Sequence, residues 1–457
     1  KIYICSLMQD KFTYMTTAPV PKLVTSLAVP TIISMLITAF YNIADTYFVG
    51  KINTQATAAV GIAFSVMAII QALGFFFGHG SGNYISRKLG AQDTRSAEKM
   101  ASTGFFCALI VGVFISFLGL LFITPLSKIL GSTSTILPYT EKYLGIVLLG
   151  APFMAASLVL NNQMRFQGNA VYAMIGITVG AVINIGLDPL LMFTFGLGIS
   201  GAAIATVTSQ VCSFLLLLMM EHKGNNIRIR WENFTPTPDM LKEIVQGGTP
   251  SLFRQGLSSV ATICLNHSAG MYGDAAIAGM SIVTRICAFI NSFVIGFGQG
   301  FQPVCGFNYG AKIYERVKSG FWFCVRVGSL FLLVCSVVGF ILAPEIIETF
   351  RKGDPAVTAI GTNALRWQLI SLPLCAWIVL CNMMLQTIRK PIPATILAAS
   401  RQGMFFIPLI WVLPLFFGLP GVEITPAIAD VCSALLAVPL TRKVLLEMNS
   451  EGLVKNK

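Results

Sequence analysis

Two aspartates stand where a carboxylate is hard to place, and they define the chemistry to look for. The apolar run Leu23 to Val49 carries Asp45 as its only charged residue. A later run, AVINIGLDPLLMF, holds Asn184 and Asp188 four residues apart, hence on one face of a helix. Both acids lie about one turn from the end of their runs. An acid at the centre of an apolar helix costs roughly 2.5–3.5 kcal/mol on insertion scales, and less off-centre, so each needs a partner. Two carboxylates and a carboxamide at one depth make either an oxygen cage for a hard cation or a pair sharing a proton. Thr206, in the opening turns of the next run, adds a hydroxyl. The bland alternative has Asp45 meeting water and Asp188, followed by Pro189, merely closing its helix. The matched depth favours a shared site.

The elements that must position these side chains follow from composition. Hydrophobic residues make up 55% of the 457, charged residues only 11%, and the mean hydropathy is +0.76. No water-soluble core absorbs that much apolar surface, so the chain is read as an all-α, polytopic membrane protein. Leu23 to Val49 exceeds what the roughly 30 Å hydrocarbon core requires. Twelve such spans are expected, at 23–49, 57–85, 100–123, 138–165, 169–193, 199–220, 244–271, 277–303, 318–343, 358–388, 393–418 and 424–446. The net charge of +12 invites a nucleic-acid reading, but the basic residues sit in one set of connections. Of 31 Lys and Arg, twenty-one fall in the termini, in the connections on their side or at the span ends that border them. Four (Lys51, Lys128, Arg351, Lys352) fall on the other side, and the remaining six lie within spans away from those ends. That bias puts both termini in the cytoplasm of a plasma-membrane protein with no nucleic-acid partner. The eleven cysteines are scattered through apolar runs without a CxxC pair, as buried hydrophobes in a reduced protein.

The chain also repeats itself. One constant shift brings Pro30 onto Pro250, Gly80 onto Gly300, Gly90 onto Gly310 and Asn162 onto Asn382. Two parallel six-helix halves are the arrangement of a transporter that rocks about a central site. The expected division is a loose leader 1–22, an N-lobe 23–220, a cytoplasmic linker 221–243, a C-lobe 244–446 and a tail 447–457. The acids are not repeated. Instead, Arg254-Gln255-Gly256 and Arg401-Gln402-Gly403 lie at one depth on spans seven and eleven, while Arg285, Arg366 and Asp430 share the opposite third and can pair there. Gly74, Gly78 and Gly82 read as a close-packing face, and His79 beside them as a hydrogen-bonded packing residue. Three His, no HExxH and no GxSxG argue against an intramembrane enzyme. No connection resembles a channel's filter loop.

At these residues the sequence resembles the multidrug and toxic compound extrusion (MATE) family over nearly its whole length. The resemblance rests on PTIISMLITAFYNIADTYFVG (30–50), ISRKLGAQD (85–93), NNQMRFQGNAVYAM (161–174), NIGLDP (184–189), PSLFRQG (250–256) and SRQGMFFIP (400–408). It implies two six-helix bundles in a V around a central cavity, and efflux of small organic compounds against Na⁺ or H⁺. It assigns a cation site to Asp45, Asn184, Asp188 and Thr206, with Asn161 nearby although depth puts that residue closer to the cytoplasm. Tyr41, Asn42, Asn161, Arg254, Gln255, Arg401 and Gln402 are expected in the cavity. Span seven lacks the mid-helix acid that some branches carry, which points to coupling through the N-lobe alone; His79 replaces a usually small residue. No cofactor beyond the coupling ion and no partner beyond substrate and bilayer is expected, and the protein is read as a monomer. The alternative is a lipid-linked oligosaccharide flippase of the same superfamily, which would need cations directed into the N-lobe cavity too.

Overall fold

A chain in lipid must satisfy its backbone polar groups internally, and here the long apolar runs become helices. The computed structural model describes residues 11–223, 226–350 and 354–455, apart from the side chains of Asn42, Ile43, Thr46, Thr54 and 451–455. Among them, twelve long helices follow in order: α1 (Val20–Gly50), α2 (Thr54–Gly90), α3 (Thr94–Leu121), α4 (Leu137–Phe166), α5 (Ala170–Pro189), α6 (Gly198–Lys223), α7 (Pro238–Gly270), α8 (Asp274–Gly310), α9 (Tyr314–Ile341), α10 (Pro355–Thr387), α11 (Pro391–Phe417) and α12 (Leu419–Lys455). Eleven are long and apolar enough to cross a membrane. The exception, α7, carries Asp239, Lys242, Glu243, Arg254 and Gln255 along its length. Exposed Phe114, Phe117, Leu330 and Val334 on α3 and α9 suit a lipid-facing exterior.

Several helices outrun the apolar sequence because side chains cap their first turns. Asn53 Oδ1 accepts from Ala56 N (2.7 Å), Asp93 Oδ1 from Ser96 N (3.1 Å) and Asp354 Oδ1 from Val357 N (3.2 Å). The stretch 221–243, read as a linker, contributes its first residues to α6 and its last six to α7. The leader is not loose throughout. Residues 11–17 are helical, Met15 is buried in the core, and Asn308 Nδ2 and Arg316 Nη2 donate to the carbonyls of Met15 and Ala18 (3.1 and 2.5 Å).

The internal repeat is visible in the backbone. Gln92 and Lys312 both adopt φ 60°, and Gly198 and Gly418 both have positive φ, each pair related by the shift seen in the sequence. The register slips by one between these points: the left-handed residue after α4 is Gly168, and its counterpart after α10 is Arg389, one position beyond where that shift would place it. Accordingly Asn382, which Nδ2-bonds Ala394 O (2.6 Å), is the equivalent of Asn161, which bonds Ala173 O (2.8 Å), and not of Asn162.

The halves meet where backbones come close. Gly80 and Gly248 bring α2 against α7, and Gly296 and Gly300 bring α8 against α1. Gly90 abuts the Phe307 carbonyl while Gly310 abuts the Arg87 carbonyl, a reciprocal contact of a pseudo-two-fold axis. Arg87 donates to Thr387 O (2.7 Å) and pairs with Glu243 (3.1 Å), which Arg389 also engages. Deeper in this seam His79 is fully buried; its Nδ1 lies 2.9 Å from Ser251 Oγ, and Arg165 reaches across to Gln299 Oε1 (2.6 Å). His79 is thus a hydrogen-bonded residue of the seam between halves. The glycine stripe behaves as a packing face: Gly74, Gly78 and Gly82 meet Leu158, Asn162 and Phe166 of α4.

Candidate functional site

The N-lobe site grows out of a packing seam. Gly176 and Gly180 let α5 approach Leu217 and Ser213 of α6, and Ser213 Oγ donates to Gly176 O (2.8 Å). Continuing in steps of four along the same face of α5 brings up Asn184 and Asp188. Thr206 continues the facing stripe of α6. All three polar residues are almost wholly buried, Asp188 at 0% exposure and Asn184 and Thr206 at 1%. With the Asn184 amide oriented to satisfy both neighbours, Nδ2 donates to Asp188 Oδ2 (3.1 Å) and Oδ1 accepts from Thr206 N (3.3 Å). Beyond Pro189 the helix widens into a π turn, Leu190–Thr194, that ends α5 regularity next to Asp188.

Asp45 enters from α1, close enough to Asp188 for the two carboxylates to interact. Its Oδ1 is buried without a hydrogen-bond partner, as is Thr206 Oγ1. Tyr41, one turn before Asp45, and Tyr143 of α4 both lie beside Thr206 and the two acids. Asn42's side chain lies outside the described residues. Tyr143, 1% exposed, is the member that sequence reasoning missed. Its position in the first turns of α4, at the depth of the acids, was the available signal.

The cluster therefore offers only oxygen donors: two carboxylates, a carboxamide, a hydroxyl and two phenols. Hard cations prefer such ligands, and among the described residues no basic side chain pairs with either acid. Two ionised carboxylates this close repel, and a monovalent cation or a proton between them removes the repulsion and satisfies the stranded Asp45 oxygen. Among the described residues no three His, Cys, Asp or Glu gather to hold a metal, so a transition-metal centre has no ligand set here. Asn161 is not in the cluster. Its amide ties α4 to α5 through Ala173 O at the other end of the bundle.

The C-lobe holds a separate cavity of about 370 Å³. Both RQG triplets reach it: Arg254, Gln255, Arg401 and Gln402 all line its wall. Arg401 Nε pairs with Asp430 Oδ1 at 2.5 Å, and Asp430 also accepts from Ser371 Oγ (3.2 Å) and Cys375 Sγ (3.4 Å). The pairing expected of Asp430 with Arg285 and Arg366 does not form; Arg401, Ser371 and Cys375 take the Asp430 carboxylate instead. Arg285 is exposed, and Arg366 lies over the Phe340 ring.

Comparisons with known proteins agree with this architecture. The MatE family model matches residues 30–190 and 250–412, two segments whose starts fall on the paired prolines Pro30 and Pro250 of the repeat. The chain is 29% identical over 434 residues to the multidrug export protein MepA of Staphylococcus haemolyticus, spanning 94% of this chain and 95% of that one. It superposes with a TM-score of 0.90 on the outward-facing conformation of a multidrug resistance MATE transporter of the MOP superfamily, at 25% identity and 96% and 98% coverage. The same TM-score, identity and coverage relate it to a MOP superfamily transporter from Pyrococcus furiosus, whose pocket of reverse polarity has been taken to suggest a different function.

Proposed function

Because the chain belongs to the MatE family, we propose that it is a secondary active exporter of organic compounds, driven by a cation that enters through Asp45, Asn184, Asp188 and Thr206. The observation that carries this reading is the buried pair of acids with a stranded carboxylate oxygen and no basic partner among the described residues. A fixed ion pair would have no reason to move, whereas an acid pair that a cation neutralises responds to its concentration. The cation can drive export only by favouring one arrangement of the lobes. Pro30 within α1 and the π turn after Pro189 are the points where the helices around the site yield. The similarity to a multidrug export protein supports organic compounds as substrates.

The basic connections assign the termini to the cytoplasm of the plasma membrane. On that assignment the tight glycine seam closes the cytoplasmic side, as in an outward-facing state. The test is dye accumulation in inverted membrane vesicles given a Na⁺ gradient or a pH gradient alone. One of the two should drive accumulation; accumulation under neither removes the ion-coupled reading.

A further inference from the structure

The polar sites of the two lobes carry opposite charge. The N-lobe site holds two acids and no base, and the C-lobe cavity holds two arginines and one acid. That acid, Asp430, is fully engaged by Arg401, Ser371 and Cys375. Arg254 is left over. No acidic side chain or hydrogen-bond acceptor among the described residues reaches it, and Arg165 across the seam lies close enough to repel it. Arg165 itself has only neutral partners. A guanidinium in an apolar membrane protein without a counter-charge is an expensive arrangement unless a ligand supplies one.

The rest of the wall specifies more. Asn382, in the cavity lining, is 3% exposed; its Nδ2 is committed to Ala394 O, and its Oδ1 is buried with no partner. Asn291 Oδ1, from α8, is likewise buried and unpaired, and Asn291 also lines the cavity. Leu265, Val379 and Phe406 supply apolar surface between them. We infer that the C-lobe cavity binds an amphipathic organic anion, its acidic group on Arg254, its apolar body on that surface, and a hydroxyl or N–H donor toward Asn382 and Asn291. The inference builds on the exporter reading and names the class of compound that this cavity takes. A soluble organic acid and the head of an anionic lipid share this chemistry.

The test is equilibrium binding of two xanthene dyes of similar body and opposite charge, fluorescein and rhodamine 6G. Anisotropy is read on the full chain in nanodiscs of zwitterionic lipid. Fluorescein should bind saturably. Arg254→Gln should weaken it about tenfold or more, the loss of one charge-assisted hydrogen-bonded contact. Arg254→Lys should restore most of it, and neither change should weaken rhodamine 6G. Asp430→Asn provides the opposite sign: by freeing Arg401 it should tighten fluorescein binding, an effect that misfolding cannot imitate. Adding phosphatidylglycerol to the discs separates the sources. Competition with fluorescein identifies a lipid head as occupant, and its absence a soluble acid, with the anion site standing in either case. Equal fluorescein binding by wild type and Arg254→Gln, or binding of rhodamine 6G alone, overturns the inference. The anion site is read by equilibrium binding and the cation site by gradient-driven accumulation in vesicles, so failure of one is distinguishable from failure of the other.

Discussion

Placing one methyl group on Gly90 tests how the lobes are held. A Cβ there would collide with the Phe307 carbonyl oxygen and lie 2.8 Å from Phe307 Cα, against 3.4 Å for ordinary contact. The obstacle is backbone, which no rotamer change can relieve. Gly90→Ala therefore forces α2 and α8 apart by about 0.6 Å at the Cα, and further at the oxygen. Overpacking of this kind typically costs about 1–3 kcal/mol, here charged only to the conformation in which the seam is closed. The balance between closed and open seam should shift by about 5- to 150-fold. Gly310→Ala meets the Arg87 carbonyl in the reciprocal position and should act alike. Since one separation relieves both clashes, the double variant should shift the balance by less than the product of the singles. Spin labels at Gln55 and Asp274, exposed near the starts of α2 and α8, report the change by electron–electron distance measurement. The population with the shorter separation should grow in each variant. An unchanged distance distribution in a correctly folded Gly90→Ala protein would refute the seam as the conformational constraint.

Three further outcomes are expected. Asn161→Ala should lower stability by about 1–3 kcal/mol, because Ala173 O loses its buried donor, and should leave the cation dependence of transport unchanged; a loss of cation dependence at full thermal stability would return Asn161 to the site. A cysteine at Arg228, exposed between α6 and α7, should react with an impermeant maleimide in inverted vesicles and not in intact cells. Asp93 lies outside the spans, where hydrogen bonds from Ser96 and Lys88 hold its carboxyl down at about 2. Its contribution to stability is complete above the unfolded value of about 3.9 and is lost as pH falls through about 2. Asp93→Ala should therefore lower the unfolding temperature near neutral pH and converge with wild type toward pH 2, and a pH-independent difference would show that the carboxylate's charge plays no part.

What the sequence disclosed, and what it did not, divides by the range of the interaction. Asn184 and Asp188 share a face because four residues make about one turn, and Gly74, Gly78 and Gly82 form a stripe for the same reason. The apolar runs located the helices, though not their polar ends, since a cap such as Asp93 extends a helix through residues with no apolar signal. Contacts between helices far apart in sequence were not legible. Arg401 and Asp430 are 29 residues apart, and their pairing depends on how α11 and α12 pack. Arg165 meets Gln299 only because the lobes close on one another, 134 residues apart. Tyr143 escaped notice because a lone tyrosine in a span carries no charge to single it out. The sequence matches alone suggest one uninterrupted register for the repeat, but a single-residue slip makes Asn161, and not Asn162, the equivalent of Asn382.

The acid pair itself is tested most directly in proteoliposomes that compare two kinds of transport by one protein. Gradient-driven export requires the cation to be bound and released, whereas exchange of labelled for unlabelled substrate at equilibrium does not. Asp45→Asn keeps the shape of a side chain that now cannot carry charge, and Asp188→Asn does the same at the residue Asn184 holds in place. Each variant should lose export driven by the Na⁺ or pH gradient that powers the wild type, while retaining substrate exchange. Gradient-driven export at the wild-type rate by either variant would contradict a shared cation site at Asp45 and Asp188.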